Sequence, residues 1–191
     1  MLSFPQGLCY TWTNADSAFK TGVKKSAFIY NQKMKHIINA TVENQPGVLS
    51  RIVGLFSGRG YNIETLNVGP SADPGISSMT ITVSGDENVI EQVTKQLNKL
   101  VDVLKVNDVT TVPHLERELI LVEVATPKGK RGEILEIATL FNAEIIGVRE
   151  KSLTLQFVGK EYRVEDFLRI LRPYPILDLA RSGLMAVARG E

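Results

Sequence analysis

The stretch ENQPGVLSRIVGLFSGRGYNIETLNV, residues 43–68, changes its hydrophobic pattern twice. A turn containing Pro46 and Gly47 interrupts an apolar strand, and apolar residues then recur at the three- and four-residue spacing of an amphipathic helix. Gly58 and Gly60 end this helix, and a second strand follows. The stretch predicts a strand–turn–helix–turn–strand unit. Pro46 can sit in the first helical turn, where a missing N–H costs nothing.

The chain continues this pattern from residue 36 and then repeats it. Strand patterns at 36–43, 61–70, 76–85 and 101–110, with a second helix pattern starting at Asp86, give the order βαββαβ. After the connector TTVPHLERE the same order begins again and ends in one last strand. The two copies also align locally, because Gly47, Ile52, Leu55 and Phe56 fall opposite Gly132, Ile137, Leu140 and Phe141 at a constant spacing. This spacing indicates a duplicated unit.

A βαββαβ unit of this size closes as a ferredoxin-like sandwich, with a four-stranded antiparallel sheet and both helices on one face. We therefore predict an α+β protein with two ferredoxin-like βαββαβ sandwiches in tandem. Its predicted parts are an N-terminal extension at 1–34, a first domain at 35–110, a linker at 111–118 and a C-terminal domain at 119–191. The uncovered face of each sheet must be solvated or meet another sheet or chain. We expect oligomers, because the first domain has a strand edge that can pair with a partner.

Composition excludes several classes of protein. The 191 residues carry a formal net charge of +1, which gives no electrostatic reason to expect nucleic acid or an anionic membrane as the main partner. Cys9 is the sole cysteine, so an intrachain disulfide is excluded and a cytoplasmic protein is the simplest interpretation. We expect no metal site, and we expect His36 and His114 to be ordinary surface residues. No apolar run reaches the ~20 residues that span a bilayer.

Residues 1–34 have no clear period and lack the apolar segment of a secretory signal. A transit peptide and an extension translated upstream of a natural start at Met34 both remain open. We treat these residues as an appendage to the fold.

The turn at residues 44–49 has the chemistry of a small-ligand site. Backbone N–H groups at a helix start favour an anion, and Gly47 lets a ligand approach the backbone closely. The Asn44 amide can hold a carboxylate oxygen or an ammonium group, and Val48, Leu49 and Ile63 can receive a small aliphatic side chain. A small amino acid fits this description. The alternative is a plain helix-start turn, in which Asn44 or Gln45 caps the helix, Gly47 serves packing and Asn62 is an ordinary turn residue.

The stretch at 43–70, together with DPGISSMTITVSGDENVIEQVTKQLNKLVDVLKV, resembles the ACT domain of the small, regulatory subunit of acetolactate synthase (acetohydroxyacid synthase). HLERELILVEV and the closing ARSGLMAVARGE resemble the second domain of that family. The resemblance covers about residues 34–191.

This resemblance implies a non-catalytic regulatory subunit that binds and activates the catalytic subunit and confers feedback inhibition by valine. It implies a homodimer formed through the ACT domains, with valine bound between two chains. It implies no cofactor in this chain, with thiamine diphosphate, Mg and FAD in the catalytic subunit. By resemblance, the valine-binding residues are Asn44, Pro46, Gly47, Val48 and Leu49 of one chain with Asn62 and Ile63 of the other.

One departure from the family pattern and three alternatives accompany the resemblance. In the second unit, Lys128–Arg131 replace the Asn and Pro of the turn and Gly129 takes the position of Asn44, so we expect a structural or contact role there. A free-standing ACT-type amino-acid sensor is the main alternative function. An RNA-binding module is disfavoured because strands 76–83 and 104–109 carry no aromatic residue. An enzyme is disfavoured because no nucleophile–base pair is visible.

Overall fold

The computed structural model describes residues 34–189. The extension predicted at 1–34 therefore lies, except for Met34, outside the described residues. The first half of the described chain contains β1 (Met34–Glu43), α1 (Val48–Ser57), β2 (Ile63–Pro70), β3 (Ile76–Gly85), α2 (Glu87–Leu97) and β4 (Val103–Asp108). The second half contains β5 (His114–Ala125), α3 (Arg131–Phe141), β6 (Glu144–Val148), β7 (Ser152–Gly159), α4 (Glu161–Leu171), β8 (Ile176–Arg181) and β9 (Met185–Ala188).

The first domain is an antiparallel sheet in the order β2-β3-β1-β4, with α1 and α2 packed on one face. Strand β1 is central because it pairs with both β3 and β4. Every second residue of β1 faces the helices, and Ile38 and Ala40 are buried there. Helix α2 begins as predicted, since the Asp86 carboxylate accepts a hydrogen bond of 2.8 Å from the Val89 N–H. Helix α1 ends at Ser57, before Gly58 and the left-handed Gly60.

The second domain repeats the arrangement in the order β6-β7-β5-β8, with α3 and α4 on its helical face. Three phenylalanine rings fill this core, with ring centroids 5.0–5.9 Å apart: Phe141, Phe157 and Phe167. The tandem α+β fold predicted from the sequence is confirmed.

Two predicted boundaries differ from the structure. The connector expected at 111–118 is shorter, because β5 already begins at His114 and its first four residues pair with β9. The expected single last strand is broken at Gly183, whose φ of +74° no strand accommodates. The break produces β8 and β9, which both pair with the long strand β5.

The second piece of that broken strand covers the open face of the first sheet. Leu184 and Ala186 bury themselves there against Ile37 and Val109. The Asn39 amide donates 2.9 Å to the Ala186 carbonyl, which fixes β9 on β1. The face left uncovered by helices therefore meets a segment of the same chain.

The register of the repeat also differs from the prediction. The two left-handed glycines that precede the first helix of each domain are Gly47 and Gly129, not Gly47 and Gly132. The residues buried one turn later are Ile52 and Ile134. A shift of three residues keeps the same helix face toward the core, so apolar spacing alone does not fix the register. The position that matches Asn44 is consequently Thr126.

The prediction for His36 is wrong. Its residue is 3% exposed, because it points from β1 toward α2 on the same face as Ile38. Its neighbour Ile37 is buried on the opposite face, so this end of β1 is covered on both sides. His114 is partly exposed, and it lies on a strand instead of in a linker.

Candidate effector-binding turn

The backbone conformation of Gly47 shapes the turn between β1 and α1. This residue has φ +88° and ψ −14°, in the left-handed region that residues with a Cβ rarely occupy. The Arg51 N–H donates 3.0 Å to the Gly47 carbonyl, which starts the helix at Val48. Pro46 therefore precedes the helix by two residues and does not lie in its first turn.

Asn44 is fixed at the edge of this turn. Its backbone N–H donates 2.8 Å to the Gly75 carbonyl, and its side-chain amide donates 2.9 Å to the Pro74 carbonyl. The residue is nevertheless exposed. These two bonds orient the amide, and its oxygen makes no hydrogen bond to any residue between 34 and 189. That oxygen is available to accept a hydrogen bond from an ammonium group.

The start of α1 is left without a cap. No side chain from the described part of the chain accepts a hydrogen bond from its first-turn N–H groups, and its first turn holds no acidic residue. Neither the Asn44 nor the Gln45 side chain caps this helix, although the Gln45 carbonyl accepts a hydrogen bond of 3.4 Å from the Val48 N–H. The uncapped N–H groups carry the positive end of the helix dipole and favour an anion.

Arg51 places a guanidinium group beside the same turn, where it is paired with Asp102. Its Nη1 lies 3.3 Å from the position that a Cβ on Gly47 would occupy, and its Nε donates 2.6 Å to the Asp102 carboxylate. Arg51 is not among the site residues predicted from the sequence. The signal was a basic residue near a helix start, where acidic residues are preferred.

Apolar side chains at the turn divide into two groups. Val48 is 3% exposed and packs into the core of the first domain, so its backbone faces the turn. Leu49 is 45% exposed, and it offers an apolar surface beside the uncapped N–H groups. The turn thus combines an anion-favouring helix start, an amide and one exposed aliphatic side chain.

Asn62 and Ile63 do not join this turn within one chain. In the sheet, Ile63 pairs with Val83, whereas Glu43, next to the turn, pairs with Ile76. The two pairs lie seven residue steps apart along β3, which corresponds to roughly 23 Å at ~3.3 Å per residue. Strand β2 is an edge strand of its sheet, so its outer side is open to another chain.

In the corresponding turn of the second domain, two basic side chains pair with groups of the same domain. Gly129 has φ +81°, but the Lys130 ammonium bonds the Glu133 carboxylate at 2.6 Å in the first turn of α3. This hydrogen bond raises the pKa of Lys130 and lowers the pKa of Glu133. The Arg131 guanidinium donates to the carbonyls of Arg149 and Glu150. An acidic residue, Glu133, in the first turn of its helix distinguishes this turn from the first one.

Other kinds of site receive no support between residues 34 and 189. No group of three or more His, Cys, Asp or Glu side chains in this range is placed to hold a metal ion. No helix in the same range is long and apolar enough to cross a membrane.

The fold and this turn define the class of regulatory proteins built on ACT domains. Residues 38–105 match the family described as AHAS small subunit-like ACT domain, and residues 117–190 match the family described as small subunit of acetolactate synthase. The chain belongs to the acetolactate synthase small subunit family.

Individual relatives agree with this assignment. The chain is 48% identical to the probable acetolactate synthase small subunit of Archaeoglobus fulgidus, over 83% of this chain and 99% of the relative. It is 43% identical to the acetolactate synthase isozyme 3 small subunit of Escherichia coli, over 83% and 98%. The crystal structure of the acetolactate synthase small subunit from Thermotoga maritima superposes with a TM-score of 0.77 at 35% identity, covering 83% of this chain and 99% of that one.

Proposed function

We propose that this chain is a non-catalytic regulatory subunit that binds and activates the catalytic subunit of acetolactate synthase and confers feedback inhibition by valine. The observation that carries the proposal is the uncapped helix start at Gly47, with Arg51 beside it, in a chain of this family. Thiamine diphosphate, Mg and FAD then belong to the catalytic subunit, and this chain contributes no cofactor.

The valine carboxylate is assigned to the first turn of α1. The N–H groups that follow Gly47 and the Arg51 guanidinium both favour a negative group there. The Asn44 side-chain oxygen accepts from the valine ammonium group. Leu49 provides the exposed apolar contact for the isopropyl group.

The second half of the site comes from another chain. Asn62 and Ile63 lie at the far end of the sheet within one chain, and they sit on the open edge strand β2. We assign them to the partner's side of a homodimer formed through the ACT domains. In this arrangement valine bridges two chains, so its binding and the packing of the dimer are coupled.

The strand that carries Ile63 also contacts the second domain. The Thr65 hydroxyl lies 3.4 Å from the Leu184 N–H, and the Asn67 amide lies 3.3 Å from the Ser182 carbonyl. A shift of β2 on valine binding therefore reaches the C-terminal domain directly. A coupling of ~1–3 kcal/mol between effector and catalytic subunit is typical of such regulation.

The test is acetolactate formation by the catalytic subunit of the same organism, with and without this chain, across a valine titration. The proposal expects activation by the chain and suppression of that activation by valine. No effect on activity, with valine still bound in a calorimeter, would replace the proposal with a free-standing amino-acid sensor. No effect and no binding would remove the regulatory role altogether.

A further inference from the structure

A groove lies on the first domain, away from the effector-binding turn. It has a volume of about 480 Å³ and runs along α2 from Glu87 to Asn98, against the ends of β1 and β4. The Asn44 turn follows the opposite end of β1. The walls of the groove are mostly carbon and include Met34 and Ile90, of which Ile90 is 5% exposed.

Two residues that line this groove carry buried polar atoms without a hydrogen-bond partner among residues 34–189. His36 is 3% exposed, yet neither its Nδ1 nor its Nε2 makes a hydrogen bond within this range. The Thr94 hydroxyl on α2 is buried and likewise has no partner in the described part of the chain. Asp108 Oδ2 lies 3.5 Å from His36 Nδ1, which is within ion-pair distance but outside hydrogen-bond geometry. Buried polar groups in proteins are normally paired, so three such atoms beside one groove indicate a missing partner.

The charges at the groove select the kind of partner. Three acids line it, and Glu91 is paired with Lys95 one turn further along α2. Glu87 has no ion-pair partner among the described residues, and Asp108 lies within ion-pair distance of His36 alone. An imidazole nitrogen of His36 that carries no proton accepts a hydrogen bond, and the Thr94 hydroxyl and the Asp108 carboxylate are further acceptors. Surplus acceptors and surplus negative charge favour a ligand that donates hydrogen bonds and carries positive charge.

We propose that this groove binds a small amphiphilic amine, with its ammonium group between His36, Thr94 and Asp108 and its apolar chain along α2. The polar atoms of His36 and Thr94 are shielded from water, so the ammonium group reaches them by displacing a wall side chain. Met34 and Lys95 are exposed residues that line the groove and can move. The proposal does not depend on valine binding at the other end of the domain.

The probe is hexylamine hydrochloride, titrated into the full-length chain labelled with ¹⁵N and followed by amide and histidine-ring spectra. Hexanol and sodium hexanoate serve as neutral and anionic probes of the same length. We expect hexylamine to bind at least tenfold more tightly than either, with shifts in the His36 ring and in α2. Saturating valine should leave this affinity unchanged.

Two conservative variants locate the ammonium group. Thr94→Val and Asp108→Asn should each lower hexylamine affinity at least fivefold. The matched controls are Thr139→Val, an exposed helical threonine of the second domain, and Asp178→Asn, an exposed aspartate of β8, and both should retain it. Equal affinity for hexylamine and hexanol, unchanged binding in Thr94→Val and Asp108→Asn, or displacement by valine would each overturn the proposal.

Discussion

Gly47→Asp tests the proposed effector site most directly. Gly47 has φ +88°, so any side chain there carries the strain of the left-handed region, about 1–2 kcal/mol. Gly129 has φ +81° in the matching turn of the second domain, where an added Cβ meets nothing within 4 Å. Gly129→Asp therefore reproduces the strain and the added charge at a place where no effector is proposed.

The expected loss of valine affinity follows from charge. Two carboxylates about 5 Å apart repel by about 3 kcal/mol at an effective dielectric constant of about 20. Gly47 is exposed, so screening by salt reduces the net effect to about 2 kcal/mol. This corresponds to about a thirtyfold higher valine midpoint. The new carboxylate would also compete for Arg51, whose Nη1 lies beside this position.

The assay is acetolactate formation by the reconstituted complex across a valine titration. We expect the Gly47→Asp variant to activate the catalytic subunit as the unmodified chain does. It should not inhibit acetolactate formation at valine concentrations that inhibit the unmodified complex. Gly129→Asp should keep both, with a midpoint changed less than twofold. An unchanged midpoint in Gly47→Asp, or an equal shift in both variants, would refute the assignment of the carboxylate to this helix start.

Three further changes probe the effector turn, the contact between the domains and a buried ion pair of the second domain. Asn44→Ala should weaken valine binding by about 1–3 kcal/mol in calorimetry, since a hydrogen-bonding partner is removed; unchanged affinity would exclude this amide from the site. Gly183→Ala should lower the melting temperature, because Gly183 has φ +74° and its Cβ would lie 3.0 Å from that of Thr65. The same variant should weaken inhibition more than valine binding, and a proportional loss of both would argue against coupling through this contact. Glu118→Gln should lower the free energy of unfolding in urea by about 2–3 kcal/mol, because it leaves Arg181, now bonded at 2.8 and 2.9 Å, without its buried carboxylate; a loss below 0.5 kcal/mol would contradict this.

The sequence predicted the elements and the turn because each has a local signature. Alternating apolar residues marked β1, and Asp86 marked the start of α2. Pro46 and Gly47 marked the turn, although the helix begins after Gly47 and not at Pro46. These features depend on neighbours in sequence, which a single chain displays.

The features that the sequence did not predict depend on distant residues. The burial of His36 results from α2 packing over one end of β1, and the repeat register results from which helix residues reach the core. The split between β8 and β9 depends on the close approach of Gly183 to Thr65. The role of Arg51 appears once its guanidinium is seen beside Gly47, four residues earlier in the chain.

The long strand β5 has a consequence for how the two domains can be separated. Between β4 and β5 lie five residues, and within them Val109 is 1% exposed and its N–H donates 2.9 Å to Ile37. Beyond them, the first residues of β5 pair with β9, which itself rests on β1. A gene cut at this boundary would remove β9 from the first sheet and leave an apolar sheet face exposed on one product. The two halves are therefore suited to being made and folded as one polypeptide.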